Sequence, residues 1–136
     1  MTSTRGQSSG NIMTESRHSP KLYISEPLEF NGSDEQWSPE QLFVATVANC
    51  LILTFRAITN ASKFSWADIS CEAEGILDRV DGENKFTQMN IKVFLKVNSE
   101  ADKQKALRLL TKAENQCLIK NSISSKINFI NNVDCT

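Results

Sequence analysis

The hydrophobic pattern of the chain is dominated by one segment, Ser38 to Ser62, in which no charged residue occurs between Gln41 and Phe55. Ser38 is a favourable N-cap, Pro39 suits the first helical position, and Gln41 completes a capping box with Ser38. The segment therefore predicts a long helix. Apolar residues cover nearly every side of it, which is typical of a buried helix. They are Leu42, Phe43, Val44, Val47, Leu51, Ile52, Leu53, Phe55 and Ile58.

The pattern on either side of this helix predicts short strands and a second helix. From Gln88 to Val97, apolar and polar residues alternate as in a half-buried antiparallel strand. Ser99 begins a second helix, which continues to about Asn115 with apolar residues at helical spacing. The order of elements indicates an α+β fold with a mostly antiparallel sheet and helices against one face. Further strands are predicted at Lys21–Ser25, Trp66–Val80 and Lys126–Val133, with a hairpin turn at Asp81–Asn84.

The length of 136 residues fits a single domain, residues 1–136, in which residues 1–20 are weak strand or loop, flexible or exchanged between subunits. The long central helix is too apolar to be covered by one short sheet. We therefore expect it to lie at a subunit interface in an intertwined homodimer. The sequence argues against a membrane span, because the uncharged run of 15 residues is shorter than the roughly 20 apolar residues required.

The charges are nearly balanced, with 15 lysines and arginines against 16 aspartates and glutamates, and the basic residues form no cluster. This composition argues against a protein that binds nucleic acid or an anionic membrane. No apolar signal segment is visible near the N-terminus, so we expect a cytoplasmic protein with reduced thiols. The four cysteines are not in CxxC spacing and His18 is the only histidine, so neither a metal nor another cofactor is expected.

The cysteines are the residues most able to carry chemistry, although a cysteine taken alone is more often structural than reactive. Cys71 fits the structural account because it shares a strand face with apolar neighbours, and Cys135 is expected to be inert near the C-terminus. Cys50 and Cys117 differ as a pair. Cys50 lies mid-helix among small neighbours, and Cys117 follows the second helix in a polar junction that we expect to be mobile. One rigid and one movable cysteine suit a reversible disulfide cycle.

The segment S-P-E-Q-L-F-V-A-T-V-A-N-C resembles the first active-cysteine motif of the OsmC/Ohr family, the osmotically inducible and organic hydroperoxide resistance proteins. The family pattern is roughly N-P-E-Q-L-x-x-A-x-x-x-x-C, which places Pro39, Glu40 and Cys50 in register. The segment A-E-N-Q-C-L-I-K-N-S around Cys117 resembles the second-cysteine segment, with leucine where proline is usual. The resemblance covers about residues 20–133.

The resemblance implies an OsmC-like fold and a cysteine-based thiol peroxidase of the oxidative stress response. Cys50 would attack the terminal oxygen of a small organic hydroperoxide as a thiolate, giving an alcohol and a sulfenic acid. Cys117 would condense with that sulfenic acid to form a Cys50–Cys117 disulfide. A dithiol or another thiol reductant would then reset the enzyme.

Family members also use an N-terminal arginine, with the motif glutamate, to polarise the peroxide and lower the thiol pKa. Glu40 would be that glutamate, and Arg5 or Arg17 the arginine, with Arg5 the better positional match. An apolar helix interior would raise the pKa of Cys50, so we expect a cation to offset it. Glu40 lies roughly 15 Å from Cys50 along a straight helix, so coupling between them needs a bridging arginine or another subunit.

Two further functions are consistent with the residues. The chain could be a non-catalytic OsmC-fold protein that binds a small apolar ligand or acts as a redox sensor, because the position of the arginine is not fixed by a motif. It could also be a plain structural dimer, in which no disulfide forms between Cys50 and Cys117.

Overall fold

The computed structural model describes residues 1–136, which divide into two compact units, Met1–Phe43 and Val44–Thr136. The boundary falls within the first turns of helix α1, Pro39–Ala61, so this helix contributes residues to both units. Each unit contains one three-stranded sheet. The architecture is α+β, as the sequence predicts.

The first unit is built on an antiparallel sheet in the order β1–β2–β3. Two of its strands lie within residues 1–20, where the sequence predicted weak strand or loop. Trp37 forms a parallel bridge with Ile24 of the third strand, and this bridge leads the chain into α1. The strands are β1 Thr2–Arg5, β2 Ile12–Ser16 and β3 Leu22–Ile24.

A reciprocal pair of hydrogen bonds begins helix α1. The Gln41 N–H donates to Ser38 Oγ at 3.1 Å, and the Ser38 N–H donates to Gln41 Oε1 at 3.0 Å. These bonds satisfy two backbone groups that the helix itself leaves without partners. The predicted capping box is therefore confirmed, and the helix ends at Ala61, one residue before the end of the predicted segment.

The second unit is a sheet in the order β4–β5–β6, with β4 antiparallel and β6 parallel to the central strand. Asp81 and Gly82 form the hairpin turn with φ values of 51° and 81°, so the turn is tighter than the predicted four residues. The parallel pairing follows from helix α2, which carries the chain back across the sheet between β5 and β6. The elements are β4 Asp68–Val80, β5 Glu83–Val97, α2 Lys103–Gln116, α3 Leu118–Asn121 and β6 Lys126–Cys135.

One hydrophobic core joins α1, β5 and α2 in this unit. The inward residues of β5 are completely or almost completely buried, which confirms the predicted alternation along that strand. Phe55 of α1 packs against Trp66 with ring centroids 5.5 Å apart, and the Trp66 indole N–H donates to Thr59 Oγ1 at 2.9 Å. The cluster fixes the position of α1 against the sheet. From β5 it contains Met89, Ile91, Val93, Leu95 and Val97.

Within a single chain, only part of the surface of α1 is buried. Seven of its residues are buried, whereas Leu53 on another side is 59% exposed. By length and composition alone this helix could also cross a membrane, a test that the core helix of a soluble protein passes equally well. The sequence predicted a dimer because this helix is too apolar to be covered by one short sheet, and that dimer stays a prediction.

Gly75 provides a test of the packing between α1 and β4. A Cβ at this position would lie 2.7 Å from both Val44 Cγ2 and Phe86 Cε1. We expect Gly75→Ala to lower the free energy of unfolding by about 1–3 kcal/mol, because core side chains must move aside. Urea unfolding measures this loss. Ser70→Ala is the control, since Ser70 is exposed on the same strand. An unchanged midpoint for Gly75→Ala would contradict the packing described.

Candidate active site

The second unit brings Cys50 and Cys117 together. Cys50 lies in the middle of α1, and Cys117 separates α2 from α3. Both cysteines are free thiols, and their side chains are hydrogen bonded to each other. Cys50 is partly exposed, whereas Cys117 is fully buried. Of the residues proposed from the sequence, these two are the pair that the fold places in contact.

Cys117 is held by the backbone of the junction between α2 and α3. Its N–H donates to the Glu114 carbonyl at 3.4 Å, and its carbonyl accepts the Asn121 N–H at 3.0 Å. Its side chain extends the buried stripe of α2 that contains Leu110 and Ala113. The polar neighbours of Cys117 predicted a mobile segment here, but its side chain is buried and its backbone is hydrogen bonded on both sides.

Nearby hydrogen-bond donors act on the pKa of the Cys50 thiol. Burial raises the pKa of this thiol, but hydrogen bonds from the Ile119 N–H, the Cys117 thiol, the Thr54 hydroxyl and the Leu118 N–H outweigh burial and lower its pKa below the ordinary value. The sulfur lies 3.8 Å from Thr54 Oγ1, one helical turn along α1. Hydrogen bonds to the charged form of an acid favour ionisation, so these donors stabilise a thiolate at Cys50.

The same contact has the opposite effect on Cys117. Burial raises the pKa of the Cys117 thiol, and its hydrogen bond to Cys50 and the negative charge on that sulfur raise it further. Hydrogen bonds from the backbone N–H groups of Lys120 and Ile119 lower the pKa of Cys117, but by less than the other effects raise it. Two titratable groups with pKa values displaced in opposite directions take different roles in a reaction. Here the Cys50 thiol is the more readily ionised of the two and the Cys117 thiol the less readily ionised.

The donors around Cys50 correct the expectation that only a cation could lower its pKa. That expectation considered α1 alone, in which no helix N-terminus reaches the sulfur. The N–H groups of Leu118 and Ile119 come from a different element, the start of α3. Thr54 could have been found from the sequence, because it lies four residues after Cys50 and therefore on the same face of the helix.

Glu40, Arg5 and Arg17 all lie in the first unit. The Oε2 atom of Glu40 is buried and has no hydrogen-bond partner. Arg5 is exposed at the end of β1 opposite Met13, and Arg17 is exposed with its Nε donating to His18 Nε2 at 3.1 Å. Neither arginine forms an ion pair with Glu40 in this chain, so the predicted roles of all three residues stay predictions.

Glu40 also borders a cavity of about 190 Å³ in the first unit. Its walls are mostly apolar and also include Ser25 and Glu26. Buried carboxylate oxygens are normally hydrogen bonded, so Glu40 Oε2 can accept a hydrogen bond from a group that enters the cavity. The other lining residues are Gly10, Ile12, Ile24, Pro27 and Pro39.

The other two cysteines have surroundings that differ from those of the pair. Cys71 packs against the core, and burial raises the pKa of its thiol to about 11, so it stays protonated at neutral pH. The Cys135 thiol is directed at the Thr136 carbonyl at 3.5 Å. No group of three or more histidine, cysteine, aspartate or glutamate side chains is arranged to hold a metal ion.

Comparison with known proteins identifies the family of this chain. The model of the family described as OsmC-like protein matches residues 32–131, which include α1 and both cysteines of the pair. The chain belongs to the OsmC family. It is 32% identical over 124 residues to the uncharacterized protein YmaD of Bacillus subtilis, covering 88% of this chain and 76% of that one. It is 31% identical over 93 residues to the uncharacterized protein MJ0573 of Methanocaldococcus jannaschii, covering 68% of this chain.

This OsmC chain spans about half the length of MJ0573, of which 48% is covered. Among solved structures, it is similar to an organic hydroperoxide resistance protein OsmC from Legionella pneumophila, with a TM-score of 0.76 and 24% identity. That match covers 98% of this chain and 95% of the other. The comparison confirms the OsmC-like fold that the two motifs predicted.

The opposed pKa shifts of the pair can be tested by thiol titration. We expect Cys117→Ala to slow the alkylation of Cys50 by iodoacetamide roughly tenfold below its pKa, because one hydrogen bond to a charged sulfur is lost. Cys117→Ser is the matched control, since its hydroxyl can still donate. Rates are measured against pH on the reduced protein, with each modified cysteine identified by peptide mass spectrometry. If Cys117 ionises before Cys50 in the unmodified protein, the assigned roles are wrong.

Proposed function

We propose that this OsmC-family protein is a cysteine-based thiol peroxidase that reduces small organic hydroperoxides. The observation that carries the proposal is the hydrogen bond between Cys50 and Cys117, which lowers the pKa of the first thiol and raises that of the second. A peroxidase of this type needs one anionic sulfur as nucleophile and a second sulfur within reach to resolve the product.

In the first step, the Cys50 thiolate attacks the terminal oxygen of the hydroperoxide. An S–O bond forms while the O–O bond breaks, so the sulfur is oxidised by two electrons and the peroxide is reduced. The alkoxide that leaves takes up a proton and departs as an alcohol. Cys50 is left as a sulfenic acid. Its partial exposure gives a peroxide access to the sulfur.

In the second step, Cys117 condenses with the sulfenic acid. Oxidation removes the negative charge of Cys50, which is one of the effects that raise the pKa of Cys117. The Cys117 thiol is therefore easier to ionise once Cys50 has reacted. It forms the Cys50–Cys117 disulfide, and the sulfenic oxygen leaves as water with the proton of Cys117. The order of the two steps follows from the electrostatics of the pair.

A dithiol reductant completes the cycle by reducing the disulfide. Its thiolate would attack Cys50, because that sulfur is partly exposed whereas Cys117 is buried. Cys117 is then the leaving thiol and regains its proton. The second thiol of the reductant displaces Cys50 and leaves as the reductant's own disulfide. We place this cycle in the cytoplasm, where small thiols keep cysteines reduced.

The proposal includes a homodimer and a role for Glu40. The exposed apolar side of α1 around Leu53 is a surface that a second subunit would bury. The unpartnered Glu40 Oε2 would accept a bond from a guanidinium, and Arg5 and Arg17 are the candidate donors. An arginine held in this way could orient the peroxide. We expect dimerisation and this ion pair to be coupled, because both depend on the first unit and α1.

A second candidate function is binding of a small apolar ligand without turnover. The observation that favours it is the cavity of about 190 Å³ beside Glu40. In that case Cys50 would serve as a redox sensor or as part of the packing. The two candidates differ in whether Cys50 reacts with a hydroperoxide.

Replacement of Cys50 tests the peroxidase proposal directly. We expect Cys50→Ser to reduce consumption of cumene hydroperoxide in the presence of dithiothreitol to the rate without protein, because a hydroxyl is not ionised at neutral pH. In the absence of dithiothreitol, Cys117→Ser should complete one turnover and accumulate a Cys50 sulfenic acid that dimedone traps. Cys135→Ser is the control and should behave as the unmodified protein. Continued turnover by Cys50→Ser would contradict the assignment, and absence of a Cys50–Cys117 disulfide after peroxide treatment would favour ligand binding or a structural role.

A further inference from the structure

Asn131 is a polar residue in an otherwise apolar row of strand β6. The alternate residues on the same side of the strand, Ile127, Phe129 and Val133, pack against the hydrophobic core. Asn131 pairs with Val93 of β5, whose side chain is completely buried. The Oδ1 atom of Asn131 is also buried and has no hydrogen-bond partner. A buried polar atom without a partner lowers the stability of a fold, so filling the core does not account for this asparagine.

The amide nitrogen of Asn131 explains the arrangement. It donates to Glu114 Oε1, in the last turn of α2, at 2.7 Å. An ionised carboxylate only accepts hydrogen bonds, so the amide must present its nitrogen to Glu114 and turn its oxygen away. The unpartnered Oδ1 is therefore a consequence of the bond between β6 and α2.

Glu114 occupies a position that helix electrostatics disfavour. The C-terminal end of a helix carries a partial negative charge, which repels a carboxylate in the last turn. Glu114 takes part in no ion pair that would offset this repulsion. Its side chain is held instead by the amide of Asn131.

The main chain of Glu114 is bonded to Cys117. The Cys117 N–H donates to the Glu114 carbonyl at 3.4 Å. Asn121 closes the turn from the other side, because its N–H donates to the Cys117 carbonyl and its side-chain amide donates to the Asn115 carbonyl, both at 3.0 Å. The turn around Cys117 is therefore bonded internally, and the bond between Glu114 and Asn131 attaches it to strand β6.

We propose that Asn131 is a positioning residue for Cys117, because its amide holds Glu114 against β6 and thereby fixes the turn that carries the Cys117 sulfur for its reaction with Cys50. Neither Asn131 nor Glu114 reacts. The proposal deepens the proposed function and rests on it for the role of Cys117 as the resolving thiol. Its tests use no hydroperoxide, so the two proposals can fail separately.

The aromatic disulfide DTNB reports on the two thiols in separate steps. The Cys50 thiolate attacks one sulfur of the reagent, forms a mixed disulfide and releases the first thionitrobenzoate. Cys117 then attacks the Cys50 sulfur, loses its proton, forms the Cys50–Cys117 disulfide and displaces the second thionitrobenzoate. The two protein thiols are oxidised by two electrons and the reagent is reduced to two thiolates. The rate of the second release therefore measures how well Cys117 is positioned. A Cys135→Ser background removes a competing thiol.

Replacement of Asn131 by aspartate removes the donor and places a second carboxylate against Glu114. We expect Asn131→Asp to slow the second release at pH 7 about tenfold, because the attacking sulfur is no longer held in place. Asn132→Asp is the matched control and should keep the unmodified rate. It also loses an amide hydrogen bond, from Asn132 Nδ2 to the Val93 carbonyl at 3.2 Å, but it lies on the opposite face of β6. Equal second-release rates in the two variants would overturn the proposal.

An exchange of the two groups separates positioning from stability. In a protein that carries both Glu114→Gln and Asn131→Asp, the glutamine amide can donate to the aspartate, so the bond is restored in the reverse direction with the same total charge. We expect this double variant to recover most of the lost rate. A purely structural role would instead make the second release follow the urea unfolding midpoint across the variants, and that result would count against the proposal.

Substitution of Glu114 alone keeps the proposal testable if Asn131→Asp does not fold. Glu114→Ala removes the acceptor, Glu114→Gln retains one in its side-chain oxygen, and both new residues favour a helix. We expect the second release to be slow in Glu114→Ala and close to the unmodified rate in Glu114→Gln, and equal rates would overturn the proposal. A slow second release in Glu114→Ala, combined with no consumption of cumene hydroperoxide by the unmodified protein, would preserve the positioning role and reject only the peroxidase function.

Discussion

The hydrogen bond between the thiols of Cys50 and Cys117 is the interaction on which the chemistry of this fold depends. Two sulfur atoms in contact cannot ionise independently, because a charge on one opposes a charge on the other. Cys50 has more hydrogen-bond donors nearby than Cys117 has, so the pKa of Cys50 is lowered and that of Cys117 is raised. The two thiols therefore differ in how readily they ionise, and the difference comes from backbone and hydroxyl groups of the chain itself.

That contact depends on elements far apart in the sequence. The core residues of β5 fix α1 and α2 against the same sheet, so the middle of α1 and the end of α2 meet on one side of it. The parallel strand β6 holds the other end of the connection through its pairing with β5. Cys117 therefore lies in a crossover that is secured at both ends, and its burial is a consequence of the topology.

Much of this fold could be predicted because the signals are local. Ser38 and Gln41 define the start of α1 through a capping box, and alternation between Gln88 and Val97 identifies the core strand. The OsmC motifs in turn locate both cysteines. The features that could not be predicted depend on contacts between distant segments. Helix α3 is an example, because its four residues are too few to show helical periodicity in the sequence.

The burial of Cys117 and the surroundings of Glu40 also could not be predicted from the sequence. The burial of Cys117 did have a signal, because it continues the helical stripe of Leu110 and Ala113, but its polar neighbours Gln116 and Lys120 suggested exposure. The lack of a partner for Glu40 Oε2 within this chain had no such signal, since ion pairs between distant segments depend on the folded arrangement of the chain. The parallel pairing of β6 similarly depends on where α2 returns the chain to the sheet.

The parallel pairing of β5 and β6 has a consequence for the order in which the protein folds. Gln88 pairs with Lys126, so this contact closes a loop of 38 residues, whereas β4 and β5 pair across the two-residue turn at Asp81 and Gly82. Closing a long loop costs more conformational entropy, so the hairpin can form before β6 is in place. Cys117 lies within the long loop, so its position beside Cys50 is established late in folding, after the central strand.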